Sequence, residues 1–253
     1  MDWPDAVIRE GGASAPVDPV GARARYESWG IAKGADGALP APRSPERAAA
    51  VSVLAFAAAA KQTAFCHHAR DAAASDRVAI RVTMADIAAA EQDRCALARR
   101  RLGELGVDAF SEMTPYLREL AGFDRGLSTD QWWERTLGSY LAHGIAVDMQ
   151  RTAAARLDPL AAGLLAGLLE DCAGADYLRA LLVHAIRGDG RREARLSLWG
   201  RRVAGDALGV ATGMVARIPA MAELFSQDSG AGSLHAELSA EHSRRMDGLG
   251  LSI

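Results

Sequence analysis

Aromatic side chains are scarce, at 6% of 253 residues, while alanine recurs throughout. That balance argues against sandwiches and barrels, whose strands draw on aromatic and β-branched residues, and for closely packed helices. Cysteine is nearly absent: Cys66, Cys95 and Cys172 are an odd, widely spaced set with no paired motif. This excludes a disulfide framework and suggests a reduced, cytoplasmic setting in which they serve as small core residues. Excess charge of either sign is also lacking. The net charge of -3 gives no global attraction to nucleic acid or anionic membrane, although "RRR" at 99–101 and "RR" at 191–192 and 201–202 are local basic clusters. The longest uninterrupted apolar run, "PLAAGLLAGLL" at 159–169, is well short of the roughly 20 residues that cross a bilayer. Residues 1–20 lack a basic start followed by an apolar stretch, so neither export nor anchoring is expected. No glycine-rich phosphate loop, nucleophile elbow or paired-cysteine zinc motif is present.

What is there is apolar content of 49% with a charged fraction of 24%, enough for a substantial core. Residues 1–44 are rich in Gly, Pro, Ala and Ser without apolar periodicity and read as an extended or disordered N-terminal arm, in which Trp3, Tyr26 and Trp29 could dock on a surface. Residues 45–253 read as one helical domain. Ser44 as cap, Pro45 in the first turn and Glu46 at the positive end open a helix expected to reach Ala74. A second is expected over 78–103, a short connecting helix interrupted by Pro115 over 111–120, and a third opened by Ser128 or Thr129 and reaching Leu157. The fourth restarts at Asp158-Pro159 and runs through the 180s. Two more cover about 191–225, with Pro219 kinking or ending the first, and 233–249. Two helical hairpins joined by a crossover predict a four-helix bundle with additional C-terminal helices.

Helical phase then singles out polar residues on apolar faces. Leu54, Ala58, Lys61, Phe65 and His68 share a stripe that puts Lys61 inward; Met84, Ile87, Glu91, Cys95 and Leu102 do the same for Glu91. The stripe Leu164, Leu168, Asp171, Ala175, Leu178 turns Asp171 inward. In the third helix, Tyr140, His143 and Val147 share one face and Leu137, Leu141, Gly144 and Asp148 another, and the pattern does not decide which meets the core. Buried charges are costly unless paired, so these groups should meet one another. Lys61 and Glu91 are 30 positions apart and His143 and Asp171 are 28, suiting facing positions in two similar hairpins. The alternative is that Lys61 snorkels its ammonium along a helix groove. "CHH" at 66–68 holds metal-friendly residues, but helix neighbours point about 100° apart and cannot share one ion.

The phrases "RRRLGELGVDAF", "SYLAHGIAVDMQR", "LSLWGRRVAGDAL" and "LSAEHSRRMDGLGL", in that order, carry a resemblance over about residues 48–250. The chain is similar to the actinobacterial ferritin-like proteins related to the tRNA methylthio-isopentenyladenosine hydroxylases. The resemblance implies an all-α ferritin-like bundle and, in active relatives, a di-iron centre built from a carboxylate on each of two helices and a Glu-x-x-His pair on each of the other two. Carried over, Glu91 and Asp171 match carboxylates of the two pairs, but their histidine positions fall on Arg94 and Gly174. The first-helix carboxylate falls on Lys61 and the third-helix acid on or near His143, with Asp148 a weaker candidate. Too few ligands remain for a di-iron centre.

Three functions follow as expectations. In the first, a metal-free cavity holding Lys61, Glu91, His143 and Asp171, with Arg94, Tyr140 and Asp148 as further ligand contacts, binds or converts a small organic molecule without a cofactor. In the second, iron is retained, as a di-iron centre or as a single ion held by Glu91, His143 and Asp171, in an oxygen-dependent hydroxylase of the tRNA-modifying kind. In the third, the chain is a structural or interaction protein with a buried ion network. The aromatic-bearing arm slightly favours a partner contact or homodimer; neither nucleic acid nor membrane is the expected partner.

Overall fold

The computed structural model describes residues 44–126, 128–165, 167–169, 173–226 and 231–253. The expected arm, with Trp3, Tyr26 and Trp29, lies outside the described residues, as do Asp171 and Cys172. The described residues form α1 (Pro45–Ala74), α2 (Val78–Glu104), α3 (Ala109–Gly126), α4 (Trp132–Ala154), α5 (Pro159–Gly163), α6 (Ala173–Ile186), α7 (Gly190–Arg217), α8 (Pro219–Ser226) and α9 (Ala231–Leu249), with no strand among them.

The architecture is an all-α bundle organised around α1. Its sequence from Ala50 to Lys61 is apolar or alanine on every side except Ser52 and Lys61, and every residue of that stretch is buried. A helix without a polar face belongs in the middle of a bundle. Small side chains let neighbours approach closely on all sides: α2 packs most extensively against α1, and α3, α4 and α8 also pack against it. By length and composition α1 could cross a membrane, yet most of its apolar surface is buried by the other helices. Phe56, 2% exposed, tilts against Tyr116 with ring centroids 5.6 Å apart, and the Tyr116 and Ser52 hydroxyls are hydrogen-bonded to each other.

Several local signals behave as their chemistry dictates. Ser44 accepts the Arg47 N–H, and Asp158 accepts the N–H groups of Leu160 and Ala161, so the Pro-initiated helices α1 and α5 are capped. Pro219 ends the long C-terminal helix, and the chain turns by 96° between α7 and α8.

Four expectations need correction. The crossover helix is not a short interrupted piece: α3 runs for 18 residues and contains Pro115 within it. The third helix begins only at Trp132, because Thr129 donates to Glu134 Oε2 and accepts from the Gln131 N–H instead of capping. The fourth helix is not continuous. It stops after five residues at Gly163 and passes through turns in which Gly167 takes φ +74°, and α6 is described from Ala173. That break, permitted by a glycine in a conformation other residues avoid, interrupts the helical spacing of the segment; Asp171 itself lies outside the described residues. Finally, of the cysteines only Cys95 is a core residue among the described ones, since Cys66 is exposed.

The elements bearing the site are locked at one end by a buried ion pair. Arg135 of α4 donates from Nε to Asp71 of α1 at 2.9 Å, with Asp71 fully buried, and Trp132 Nε1 donates to the Asp71 carbonyl at 3.2 Å. Trp199 Nε1 donates to the Glu134 carbonyl at 2.8 Å, fixing α7 across α4. Leu137 and Leu141 face the core between α4, α6, α7 and α9, while His143 and Val147 face α2 and α6 and Tyr140 packs against both sides.

Candidate functional site

Where α1, α2, α4, α6 and α9 meet there is a cleft of about 240 Å³. Its inner wall carries His68 and Glu91, its sides Tyr140, His143 and Val147, and its mouth the exposed Arg151, Asp176 and Arg179 together with Arg245. Gly174 keeps the α6 wall close to α2: a Cβ there would come within 2.9 Å of the Ile87 side chain.

The lysine on the alanine-rich face of α1 does not snorkel. Lys61 is 1% exposed, and its Nζ lies 3.1 Å from Glu91 Oε2. It stands behind Glu91, off the cleft wall. Arg94, one turn further along α2, brings Nη1 to 3.6 Å from the other oxygen, Glu91 Oε1, and His143 Nε2 approaches that same oxygen at 3.8 Å. Glu91 is thus surrounded on three sides, by groups from α1, from its own helix and from α4.

The charge states follow from this packing. Burial opposes the Glu91 charge, but His143, where it is protonated at low pH, together with the Lys61 and Arg94 charges outweighs it and holds the carboxyl down to about 2. His143 is itself pushed down to about 3, by burial first and by the Lys61 charge second, against the pull of Glu91. It is therefore neutral near pH 7, and the charge compensating Glu91 there comes from Lys61 and Arg94. His68 is driven by burial to about 4, with Glu91 opposing and His67 and Lys61 assisting. The two imidazoles stand edge to face, centroids 6.4 Å apart and planes at 74°. Around neutrality the inner part of the cleft presents the ionised Glu91 carboxylate and two neutral imidazoles.

The remaining candidates separate. Tyr140 lines the cleft. Arg94 belongs to the Glu91 cluster behind it. Asp148 is 7% exposed and is held by Arg245 Nη2 at 2.6 Å, with Arg151 Nη1 at 3.9 Å; burial pushes its carboxyl up, Arg245 opposing. Asp171 lies outside the described residues. The "CHH" side chains diverge as helix geometry requires. His68 faces the cleft, His67 pairs with Asp124 at 3.0 Å, and Cys66 is exposed. Among the described residues, no three His, Cys, Asp or Glu side chains converge as metal ligands.

Sequence reasoning passed over four cleft residues. His68 shared the Lys61 stripe and could have been promoted on that ground. Arg151, Arg179 and Arg245 resemble ordinary surface arginines, and Arg245 reaches α4 from 101 positions away to donate Nη2 to the Gly144 carbonyl at 3.2 Å.

No curated protein matches the chain. Residues 45–228, spanning α1 to α8, match a family model described as a ferritin-like domain of actinomycetes, and the chain belongs to that ferritin-like family.

Proposed function

We propose that this protein uses the cleft at Glu91 and His143 to bind a small organic molecule, with the buried Lys61 supplying the positive charge that a metal supplies in iron-bearing bundles. The observation that carries this reading is the Lys61 ammonium 3.1 Å from Glu91, at the back of an open cleft. Lone buried carboxylates are strongly disfavoured, and metals and cationic side chains are alternative ways to compensate them.

A di-iron centre would need carboxylates from two helices and Glu-x-x-His pairs from two more. Here α1 offers Lys61, the position three after Glu91 is Arg94, and α4 offers His143. A metal on Glu91 would have to displace the ammonium from one oxygen while Arg94 stands 3.6 Å from the other. The donor set does not fit the group, so iron-dependent hydroxylation is not the activity put forward.

Binding is favoured over acid–base conversion. A general acid or base works best when its pKa lies near the working pH, and Glu91 at about 2, His143 at about 3 and His68 at about 4 all lie far below neutrality. Neutral imidazoles can each offer one N–H donor and one acceptor to a ligand, next to a fixed negative charge. Ile87, Val147 and Leu178 supply apolar contact. The cysteines, widely spaced with Cys66 and Cys95 free, suit a reduced cytoplasmic setting.

The test is a fragment screen against the full chain, read through the imidazole NMR signals of His68 and His143. Compounds that move both signals in the wild type and lose affinity in Glu91→Gln are expected. A screen in which no compound perturbs either imidazole would refute the reading.

A further inference from the structure

Beyond locating a ligand, the walls of the cleft indicate its chemistry, and this step rests on the binding reading above. Three guanidinium groups line the cleft, on Arg151 of α4, Arg179 of α6 and Arg245 of α9. The acids near them are largely engaged. Glu91 is compensated from behind by Lys61 and Arg94, and Asp148 is held by Arg245, leaving the exposed Asp176 as the other acid on the described wall.

Arg245 is seated with unusual care for a residue at a cleft mouth. Its side chain crosses α4 at Gly144, where a Cβ would come within 2.4 Å of Nε, so only glycine leaves the path open. Nη2 is fixed by the Gly144 carbonyl at 3.2 Å and by Asp148 at 2.6 Å. The other terminal nitrogen, Nη1, is buried and has no hydrogen-bond partner among the described residues. Arg179 makes no ion pair among the described residues, and it lies one turn along α6 from the Gly174–Asp176 segment, where the positive end of that helix also meets the cleft. Deeper in, His68 is 2% exposed, lines the same cleft, and its Nδ1 has no hydrogen-bond partner among the described residues. A buried polar atom without a partner is a place where a ligand atom gains more than it would on the surface.

We infer that the cleft takes a compact organic molecule bearing an oxyanion, a carboxylate or a phosphate, gripped at the mouth by Arg179 and Arg245 while its uncharged end lies between Ile87, Val147 and His143 toward His68. A planar guanidinium matches either oxyanion through paired N–H donors, which a lysine would not. At about 240 Å³ the space is smaller than most drug-sized pockets, which limits the ligand to a small ring or short chain with its acidic group.

The experiment is calorimetric titration of the full chain with benzoate, inorganic phosphate and the neutral isostere benzamide, at low and high salt. Benzoate, phosphate or both should bind, more weakly at high salt, and Arg179→Gln should weaken binding about tenfold. Arg179 is exposed, so that variant folds; Arg245→Lys keeps a cation for Asp148 while removing the fork and should weaken binding similarly. Binding of benzoate alone identifies a carboxylate as the recognised group, and binding of phosphate alone a phosphoryl group. Benzamide binding as tightly as benzoate, unchanged in both variants, would overturn the anionic ligand and leave the cleft as a ligand site. If none of the three binds the inference fails, and the fragment screen then decides whether the binding reading fails with it.

Discussion

Replacing Lys61 by Met leaves a side chain of similar length in the same space and removes only the charge, so its effect isolates the buried pair. In the native protein Glu91 is 1% exposed, its ammonium partner is 3.1 Å away, and its carboxyl is held from an ordinary 4.5 down to about 2. A depression of that size, shared among His143, Lys61 and Arg94, corresponds to roughly 3 kcal/mol of stability at neutral pH. Losing one partner of a buried pair typically costs about 3–5 kcal/mol. Arg94 remains near the other oxygen but is less buried, so a loss of about 3 kcal/mol is expected for Lys61→Met. The pH dependence is a second signature. Glu91 ionises more readily in the folded than in the unfolded chain. Its contribution is therefore complete above pH 4.5 and is lost as the pH falls toward 2. The gap between wild type and variant should be widest at neutral pH and should close on acidification through that window. Urea denaturation followed by circular dichroism at several pH values measures it. A variant within about 0.5 kcal/mol of wild type at neutral pH, the usual range for surface changes, would mean that Lys61 does not stabilise the buried Glu91 charge. The double variant Lys61→Met/Glu91→Leu, with no charge left to compensate, should recover most of the loss.

Other expectations concern the same helices. His68 and His143 are held at about 4 and about 3 when folded, below their ordinary 6.5, so the unfolded chain takes up protons first. Their contribution is complete above pH 6.5 and fades below it; His68→Gln should flatten the stability profile between about pH 6.5 and 4, and an unchanged slope would count against a buried neutral imidazole. Gly144→Ala should displace Arg245 and expose Asp148, lowering stability by about 1–3 kcal/mol in the same urea assay, whereas a neutral result would mean that Arg245 is not seated over α4. Gly205→Ala is the opposite case. Its Cβ would meet nothing within 4 Å on the exposed side of α7, and it should stabilise the protein by about 0.5–1 kcal/mol, seen as a raised melting temperature.

The parts of this fold written locally could be read from the sequence. The Ser44-Pro45-Glu46 start of α1, the Asp158-Pro159 start of α5 and the break at Pro219 each depend on a few adjacent residues, and each appears in the structure. Helical phase likewise placed Lys61 and Glu91 inward, because both stripes run through long uninterrupted helices. Phase failed where the chain itself breaks: the turn at Gly167 divides a segment whose leucines keep helical spacing on both sides. In α4 both candidate stripes turned out to be packed, Leu137 and Leu141 against the core and Tyr140 and His143 against the cleft, because this helix has neighbours on more than one side. The arginine rim was illegible for a different reason. Arg151, Arg179 and Arg245 come from three helices, and only tertiary packing, including an open path over Gly144, brings them to one mouth.

In the function proposed above, a lysine ammonium and not a metal compensates Glu91 at the back of the cleft. Metal analysis of the purified full chain, expressed with iron and manganese supplied in excess and compared with Lys61→Met, tests it most directly. No stoichiometric transition metal is expected in the wild-type protein. One or two equivalents of iron or manganese per chain, lost in Glu91→Gln, would contradict it.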